Sequence, residues 1–127
     1  VDSRVTRVDR PIESLHPTDW DALLAGVDLV FHLAAKKYNT PGVKPKDLID
    51  VNVQATNQLF QASGRAGVKR LVFASSLYAY GLLGRDRMSE DMAVEPSTLY
   101  GATKFMGESL CRVANREFVD VPVRLLV

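Results

Sequence analysis

Two apolar segments separated by a helix-length amphipathic segment restrict the fold of this chain more than any other feature. Residues 27–35 (VDLVFHLAA) and residues 68–76 (VKRLVFASS) do not alternate apolar with polar side chains. Such a run suits a strand that is covered on both faces, as in a parallel sheet. The segment between them has helical spacing and ends near Gly64 and Gly67, where glycine favours a helix end. This order predicts a parallel α/β sheet with a right-handed crossover.

The second half of the chain repeats this order. A loop rich in glycine and charge over residues 81–95 precedes a helix from about Thr98, with Ser97 as its predicted cap, and a last strand, VPVRLLV. The spacing of apolar side chains predicts the buried stripe of that helix: Leu99, Ala102, Met106, Leu110 and Val113.

The front of the chain gives weaker signals. Residues 1–8 (VDSRVTRV) alternate like a strand. Residues 18–28 (TDWDALLAGVD) predict a short helix, capped by Thr18 or Asp19, that leads into the first apolar strand.

Composition and charge exclude several classes of protein. The 127 residues suffice for one domain, and 46% hydrophobic with 24% charged residues is typical of a soluble globular protein. A net charge of +1 gives no basic footprint for nucleic acid, and the apolar runs are too short to span a bilayer. The single cysteine, Cys111, excludes an internal disulfide, and His16 and His32 show no metal-ligand spacing. We therefore expect a cytoplasmic protein without metal, nucleic-acid or membrane partners.

Hydroxyl, phenol and ammonium groups are predicted to meet at the carboxyl edge of the sheet, where ligands bind in open parallel α/β sheets. Ser75 and Ser76 follow the second strand there, and Tyr100, Lys104 and Glu108 share one face of the next helix. A nearby ammonium lowers the pKa of a tyrosine from its ordinary value of about 10, and a serine hydroxyl can bond the same substrate oxygen. This set suits proton removal from an alcohol whose carbon gives up a hydride. A redox cofactor is implied, because no side chain accepts hydride.

Four sequence blocks together resemble one known family. They are VDLVFHLAA, DVNVQAT, KRLVFASSLYAYG and SEDMAVEPSTLYGATKFMGE, in that order. Their order and spacing are similar to those of the extended short-chain dehydrogenase/reductase family, in its NAD-dependent epimerase/dehydratase branch. The resemblance implies a doubly wound parallel sheet of Rossmann type, NAD as the cofactor with NADP as the alternative, and a nucleotide sugar as the substrate. It also implies a homodimer, formed by the helices that precede the second and last strands.

The resemblance assigns roles to individual residues. Tyr100 would be the catalytic acid/base, Lys104 would hold the cofactor ribose, and Ser76 would be the hydroxyl partner, chosen over Ser75 because it lies five residues before Gly81. The cofactor-binding residues would be Asp2, Glu13, Leu33, Ala34, Ala35, Lys36, Asn52, Ala74, Ser75, Tyr100 and Lys104. The substrate-binding residues would be Ser76, Tyr78 and Tyr100.

Two acidic residues near the front compete for a cofactor role under this resemblance. Asp2 could bond the adenosine ribose, which would favour NAD over NADP, and Glu13 could lie beside the adenine.

The sequence also departs from the family pattern. The glycine-rich turn G-x-x-G-x-x-G and the C-terminal substrate domain are absent from these 127 residues. We therefore expect residues 1–127 to be a partial NAD(P)-binding domain that is inactive as it stands. Two alternatives stay open: an NAD(P)H-dependent reductase of a small carbonyl or steroid-like compound, and a dinucleotide-binding regulatory module without turnover.

Several residues have a purely structural interpretation. His32 is expected to be a satisfied, partly buried side chain, and Glu108 a surface partner of Lys104. The basic residues Lys36, Lys37, Lys44 and Lys46 form either a solvated loop or a charge funnel for a phosphorylated ligand.

Overall fold

The structure is a computed structural model that describes residues 3–37, 39–81, 88–118 and 123–126. Its strands are β1 (Leu29–His32), β2 (Arg70–Ala74) and β3 (Val123–Leu126). Its α-helices are α1 (Pro17–Leu24), α2 (Pro45–Ile49), α3 (Thr56–Arg65) and α4 (Leu99–Glu117). A π-helical segment, Asp50–Ala55, joins α2 to α3, and two 3₁₀ turns cover Ile12–Ser14 and Leu77–Tyr80.

The three strands form one parallel sheet in the order β1-β2-β3. Phe31 of β1 is paired with Val72 of β2, and Val72 is paired in turn with Arg124 of β3. The predicted strand, helix, strand order is therefore confirmed, and the carboxyl ends of β1 and β2 lie at the same edge of the sheet.

The apolar core lies between one face of the sheet and helices α1, α3 and α4. Phe60 of α3 and Phe73 of β2 form a T-shaped pair with ring centroids 5.8 Å apart, and both are almost completely buried. Side chains alternate along a strand, so β1 turns His32 towards these rings and Leu29 and Phe31 away from them. Leu29 and Phe31 are exposed, so the described helices cover a single face of β1.

The helical segment between β1 and β2 is not a uniform α-helix. The sequence predicts one helix there, but residues 50–55 take up the wider π turn. Such a turn inserts an extra residue and rotates the side chains that follow it, and π turns are frequent at functional sites. Gly67 ends the segment with a φ of 69°, a conformation that suits glycine.

Helix α4 packs on the sheet through a different face from the predicted one. Its cap is Thr98, whose Oγ1 accepts the Gly101 N–H at 3.0 Å, and not Ser97. The predicted buried stripe is wrong, because Leu99, Met106 and Val113 are exposed. The buried residues are mostly small or polar: Gly101, Thr103, Lys104, Gly107, Glu108, Cys111 and Ala114.

Two glycines explain why this face of α4 can approach so closely. A Cβ at Gly101 would overlap the Tyr78 carbonyl oxygen, and a Cβ at Gly107 would overlap the Phe73 ring. The close approach of the two backbones, and not the apolar periodicity, determines which face of α4 packs on the sheet. The larger apolar side chains therefore point away from the sheet.

The front of the chain differs from the sequence expectation. Residues 3–10 contain no strand, because the described part of this segment pairs with no other strand. Helix α1 begins at Pro17, where proline suits the first helical position, so its N-cap is His16 and not the predicted Thr18 or Asp19. Asp19 lies in the first turn, where its Oδ2 accepts the His16 N–H at 2.8 Å.

Candidate active site

A pocket of about 250 Å³ opens at the carboxyl edge of the sheet. It is lined by Lys37, Asn39, Ser76, Tyr78 and Tyr100. The loop after β1, the 3₁₀ turn after β2 and the first turn of α4 all contribute to it. Its position matches the site of ligand binding that a parallel sheet predicts.

Ser76 is positioned by the turn that it begins. Its backbone is extended, and its Oγ accepts the Tyr78 N–H at 3.3 Å as the cap of the 3₁₀ turn. The turn ends at Gly81, which has a φ of 98°, and a Cβ there would overlap the Glu95 carbonyl oxygen.

Two tyrosine rings meet in this pocket. The Tyr78 and Tyr100 ring centroids are 5.9 Å apart with an interplanar angle of 77°, an edge-to-face arrangement. Gly101 allows this contact, because it lets α4 approach the backbone of Tyr78. The structure therefore brings together three predicted site residues, Ser76, Tyr78 and Tyr100.

Lys104 lies one turn below Tyr100 on α4 and is buried. Its Nζ is 4.4 Å from the centroid of the Phe73 ring, a cation–π contact. Burial lowers its pKa to about 8, while the charge of Glu108 acts in the opposite direction. Among the carboxylates of the described residues, none lies within 4 Å of this Nζ.

Asn52 is buried, and its amide joins three segments of the site. Its Oδ1 accepts the Lys36 N–H at 2.8 Å, and its Nδ2 donates to the Lys36 carbonyl at 2.9 Å and to Thr103 Oγ1 at 3.0 Å. The Thr103 hydroxyl donates in turn to the Tyr100 carbonyl at 2.8 Å. Asn52 thus fixes the backbone after β1 relative to the helix that carries Tyr100.

His32 lies behind the pocket among aromatic rings, and its interpretation as a satisfied core residue is correct. Its Nε2 is 2.8 Å from Thr56 Oγ1. Burial, with the charge of Lys104 as a smaller cause, lowers its pKa to about 4. The neutral imidazole is therefore the form that the fold accommodates.

The remaining predicted residues lie around the pocket or outside the described part of the chain. Leu33, Ala34 and Lys36 are exposed at the end of β1, Ala35 is half-buried there, and Ala74 and Ser75 are half-buried at the end of β2. Glu13 is exposed in the 3₁₀ turn that packs against the π segment carrying Asn52. Asp2 lies outside the described residues.

Sequence reasoning missed three residues of this region. Asn39 lines the pocket without any motif to indicate it, and Lys37 was considered only as part of a basic stretch. Glu108 is buried rather than on the helix surface. The sequence signal for the burial of Glu108 is its four-residue spacing from Lys104, which places both side chains on one face of α4.

The described residues contain neither a metal-binding cluster nor a membrane-spanning helix. No group of three or more His, Cys, Asp or Glu side chains there could hold a metal ion. No described helix has both the length and the apolar character needed to cross a membrane.

Known proteins are similar to this chain in sequence. Residues 5–127 match the model of the NAD dependent epimerase/dehydratase family. An uncharacterized UDP-glucose epimerase of Bacillus subtilis is 35% identical over 120 residues, which are 90% of this chain and 36% of that protein. UDP-glucose 4-epimerase of Lactobacillus helveticus is 37% identical over 91 residues, which are 71% of this chain and 28% of that protein.

Solved structures agree with this sequence relationship. UDP-glucuronic acid 4-epimerase from Bacillus cereus, determined in complex with NAD, superposes with a TM-score of 0.85 at 28% identity, over 98% of this chain and 39% of that one. The shared parallel sheet is of the Rossmann type, as the resemblance implies, and the chain spans between 28% and 39% of the length of these proteins. The match over nearly all of its residues shows that the chain belongs to the NAD-dependent epimerase/dehydratase family.

Proposed function

We propose that residues 1–127 form part of the NAD-binding domain of an epimerase or dehydratase that acts on a nucleotide sugar. The observation that carries this proposal is the pocket that Ser76, Tyr78 and Tyr100 line together at the carboxyl edge of a parallel sheet. The family and its UDP-glucose epimerase relatives support the choice of substrate class.

In the proposed mechanism, Tyr100 is the acid/base. Its side-chain oxygen takes the proton from a sugar hydroxyl while the hydrogen on the same carbon would leave as hydride to the bound cofactor, and it returns the proton when the product forms. The Ser76 hydroxyl donates a hydrogen bond to the sugar oxygen on which negative charge develops. The cation of Lys104, one helical turn away, stabilises the negative charge on the Tyr100 oxygen.

The residues at this edge fit a dinucleotide. Ala34 and Ala35 carry only methyl groups, so a flat ligand can approach the backbone after β1. The buried Lys104 ammonium has no carboxylate partner among the described residues and can donate to ribose hydroxyls. NAD, with NADP as the alternative, would supply the hydride acceptor that no side chain provides.

Two of the proposed cofactor residues would act through their backbone or their neighbours. The polar atoms of the Asn52 side chain bond Lys36 and Thr103, and the Ser75 hydroxyl donates to Glu108. Asn52 would therefore shape the loop beneath the cofactor, and Ser75 would face it with main-chain atoms.

We also propose that Lys37 attracts the phosphates of the substrate or cofactor. Lys37 lines the pocket beside Asn39, so a diphosphate would enter next to a positively charged residue. Lys46, by contrast, is paired with Asp50. Of the basic stretch, we therefore propose Lys37, which lines the pocket, as the residue that attracts a phosphorylated ligand.

The test is the substitution Tyr100→Phe in the full-length protein, with Tyr80→Phe as the matched control, because Tyr80 lines a separate depression with Leu77 and Met88. NAD binding is followed by calorimetry, and turnover of UDP-glucose and UDP-glucuronic acid by NMR. We expect Tyr100→Phe to lose at least about 100-fold in turnover while retaining NAD binding. Unchanged turnover would refute the tyrosine assignment, and NAD binding without turnover in the unmodified protein would favour a regulatory module.

We also propose that the protein forms a homodimer through α3 and α4, to which α4 contributes an apolar stripe. Leu99, Met106 and Val113 are 41%, 44% and 45% exposed and repeat at seven-residue spacing, so they form one apolar stripe. A stripe of this period is suited to an identical helix related by a two-fold axis. Met106→Glu should shift the molecular mass measured by light scattering to that of a monomer, whereas Thr18→Glu at an exposed position on α1 should not. We further propose a cytoplasmic location, which suits the unpaired Cys111.

A further inference from the structure

Helix α4 carries a row of functional and charged side chains below the pocket. Tyr100, Lys104, Glu108 and Arg112 follow one another at four-residue spacing, so they share one face of the helix. The prediction that Glu108 is a surface residue is wrong, because it is only 8% exposed. A carboxylate in such a position needs polar partners, since an unpaired buried charge is costly.

Glu108 has one donor for each of its oxygens. The Ser75 hydroxyl donates to Oε1, and the Arg112 guanidinium donates to Oε2 at 3.3 Å. Ser75 belongs to the segment after β2, whereas Arg112 belongs to the same helix as Glu108. The bond to Ser75 is therefore the contact through which Glu108 links the sheet to α4.

Ser75 and Ser76 have separate partners. Ser75 donates to Glu108, whereas Ser76 caps the 3₁₀ turn through the Tyr78 N–H and lines the pocket. Fixing Ser75 against α4 thus fixes the residue next to it. Glu108 lies about two helical turns from Tyr100 on that helix, so the same contact connects the segment of Ser76 to the helix that carries Tyr100.

Glu108 also contributes to the charge environment of Lys104. Burial lowers the pKa of Lys104, and the negative charge of Glu108 is the larger of the two influences that raise it, the other being Cys111. His32 faces Lys104 from β1, and the Phe73 ring lies against it from β2. Among the described elements that pack around Lys104, α4 thus supplies the carboxylate, that of Glu108, whose charge raises the pKa of this ammonium.

We propose that Glu108 is a positioning residue, which holds the end of β2 against α4 through Ser75 and maintains a negative charge beside Lys104. It does not line the pocket, so it acts on Ser76 and Tyr100 only through these two neighbours. The inference deepens the proposed function and rests on it, because the geometry that Glu108 maintains is that of the proposed catalytic groups.

Two NMR readouts test the proposal without substrate or cofactor. The first is the pH at which the Lys104 side chain titrates, assigned by the loss of its signal in Lys104→Met. The second is the backbone amide resonance of Tyr78, which reports the position of Ser76. The variants are Glu108→Gln and Ser75→Ala, and the matched control is Glu117→Gln, an exposed glutamate at the end of the same helix.

We expect Glu108→Gln to lower the titration pH of Lys104 by about half a unit or more, because a neutral amide no longer favours the ammonium. Ser75→Ala should move the Tyr78 resonance but leave the Lys104 titration within about 0.2 unit. Glu117→Gln should change neither. A Lys104 titration unaffected by Glu108→Gln, or a Tyr78 resonance unaffected by Ser75→Ala, would overturn the proposal.

If Glu108→Gln does not fold, Glu108→Asp takes its place in the test. Aspartate retains the charge but is shorter, so it should move the Tyr78 resonance and leave the Lys104 titration near the pH of the unmodified protein. The opposite pattern would overturn the proposal. No measurement here uses NAD or a nucleotide sugar, so an absence of turnover would refute the proposed function while leaving these results interpretable on their own.

Discussion

Asn52 bonds both the N–H and the carbonyl of Lys36, at 2.8 Å and 2.9 Å. A side-chain amide has one acceptor and one donor group, so it can satisfy both backbone groups of this residue after the end of β1. The π turn around Asn52 directs the amide inward, where Thr103 of α4 is its third partner. One polar side chain thus joins the loop, the π segment and the helix of Tyr100.

Removing this amide should destabilise the protein more than an ordinary polar substitution. Asn52→Ala leaves the polar groups of Lys36 and Thr103 without their partner, and we expect the free energy of unfolding to fall by about 2–4 kcal/mol. Asn57→Ala, at an exposed position on α3, should change it by less than about 0.5 kcal/mol. Urea unfolding measures both. A loss in Asn52→Ala no larger than in Asn57→Ala would contradict this role.

Gly101→Ala should be destabilising although alanine favours helices. On an exposed helix this substitution would stabilise by about 1 kcal/mol, but here the new Cβ overlaps the Tyr78 carbonyl oxygen and must push α4 from the 3₁₀ turn. We expect a net loss of about 1–3 kcal/mol in unfolding free energy. Asn115→Ala, exposed on the same helix, is the control and should be neutral or slightly stabilising. A gain in stability from Gly101→Ala would show that the two backbones can separate freely.

The neutral imidazole of His32 should make stability depend on pH. Because the folded pKa is about 4, below the ordinary 6.5, the unfolded chain binds the proton more tightly. The stabilisation is complete above pH 6.5 and is lost as the pH falls towards 4, by roughly 3 kcal/mol in total. Urea unfolding at pH 7.0 and at about pH 5.5, where few carboxylates titrate, measures the slope.

Two variants separate this histidine from other titrating groups. His32→Gln should flatten the slope between pH 7.0 and 5.5, whereas His16→Gln, at an exposed position, should retain it. A slope that survives His32→Gln would assign the pH dependence to another residue.

Lys104→Met should stabilise the fold near neutral pH. The lysine pKa falls to about 8 from 10.5, so the charged form is disfavoured in the fold and stability rises with pH between these values. Methionine avoids this cost but loses the contact with the Phe73 ring, so we expect a net gain of about 1 kcal/mol at pH 7 that disappears by about pH 10. Lys69→Met, at an exposed position, is the control. Destabilisation by Lys104→Met at pH 7 would contradict the burial of an unfavourable charge.

Local patterns in the sequence predicted the order of β1, β2 and β3 with the helices between them, the parallel sheet, and the shared helix face of Tyr100 and Lys104. The unalternating runs at residues 27–35 and 68–76 correctly predict β1 and β2, although the expected cover on both faces is not found for β1, where Leu29 and Phe31 are exposed. Tyr100 and Lys104 share a face because helical periodicity alone requires it.

Only the tertiary structure decided which face of α4 is buried and why Glu108 is buried with it. It also decided that Ser75 bonds Glu108 whereas Ser76 bonds the Tyr78 N–H. The apolar stripe of Leu99, Met106 and Val113 predicts burial, but close approach of the backbones at Gly101 and Gly107 turns that stripe outward. Periodicity records which residues share a face. Which face is buried depends on the shape and polar partners that distant segments provide, and these partners exist only once the chain has folded.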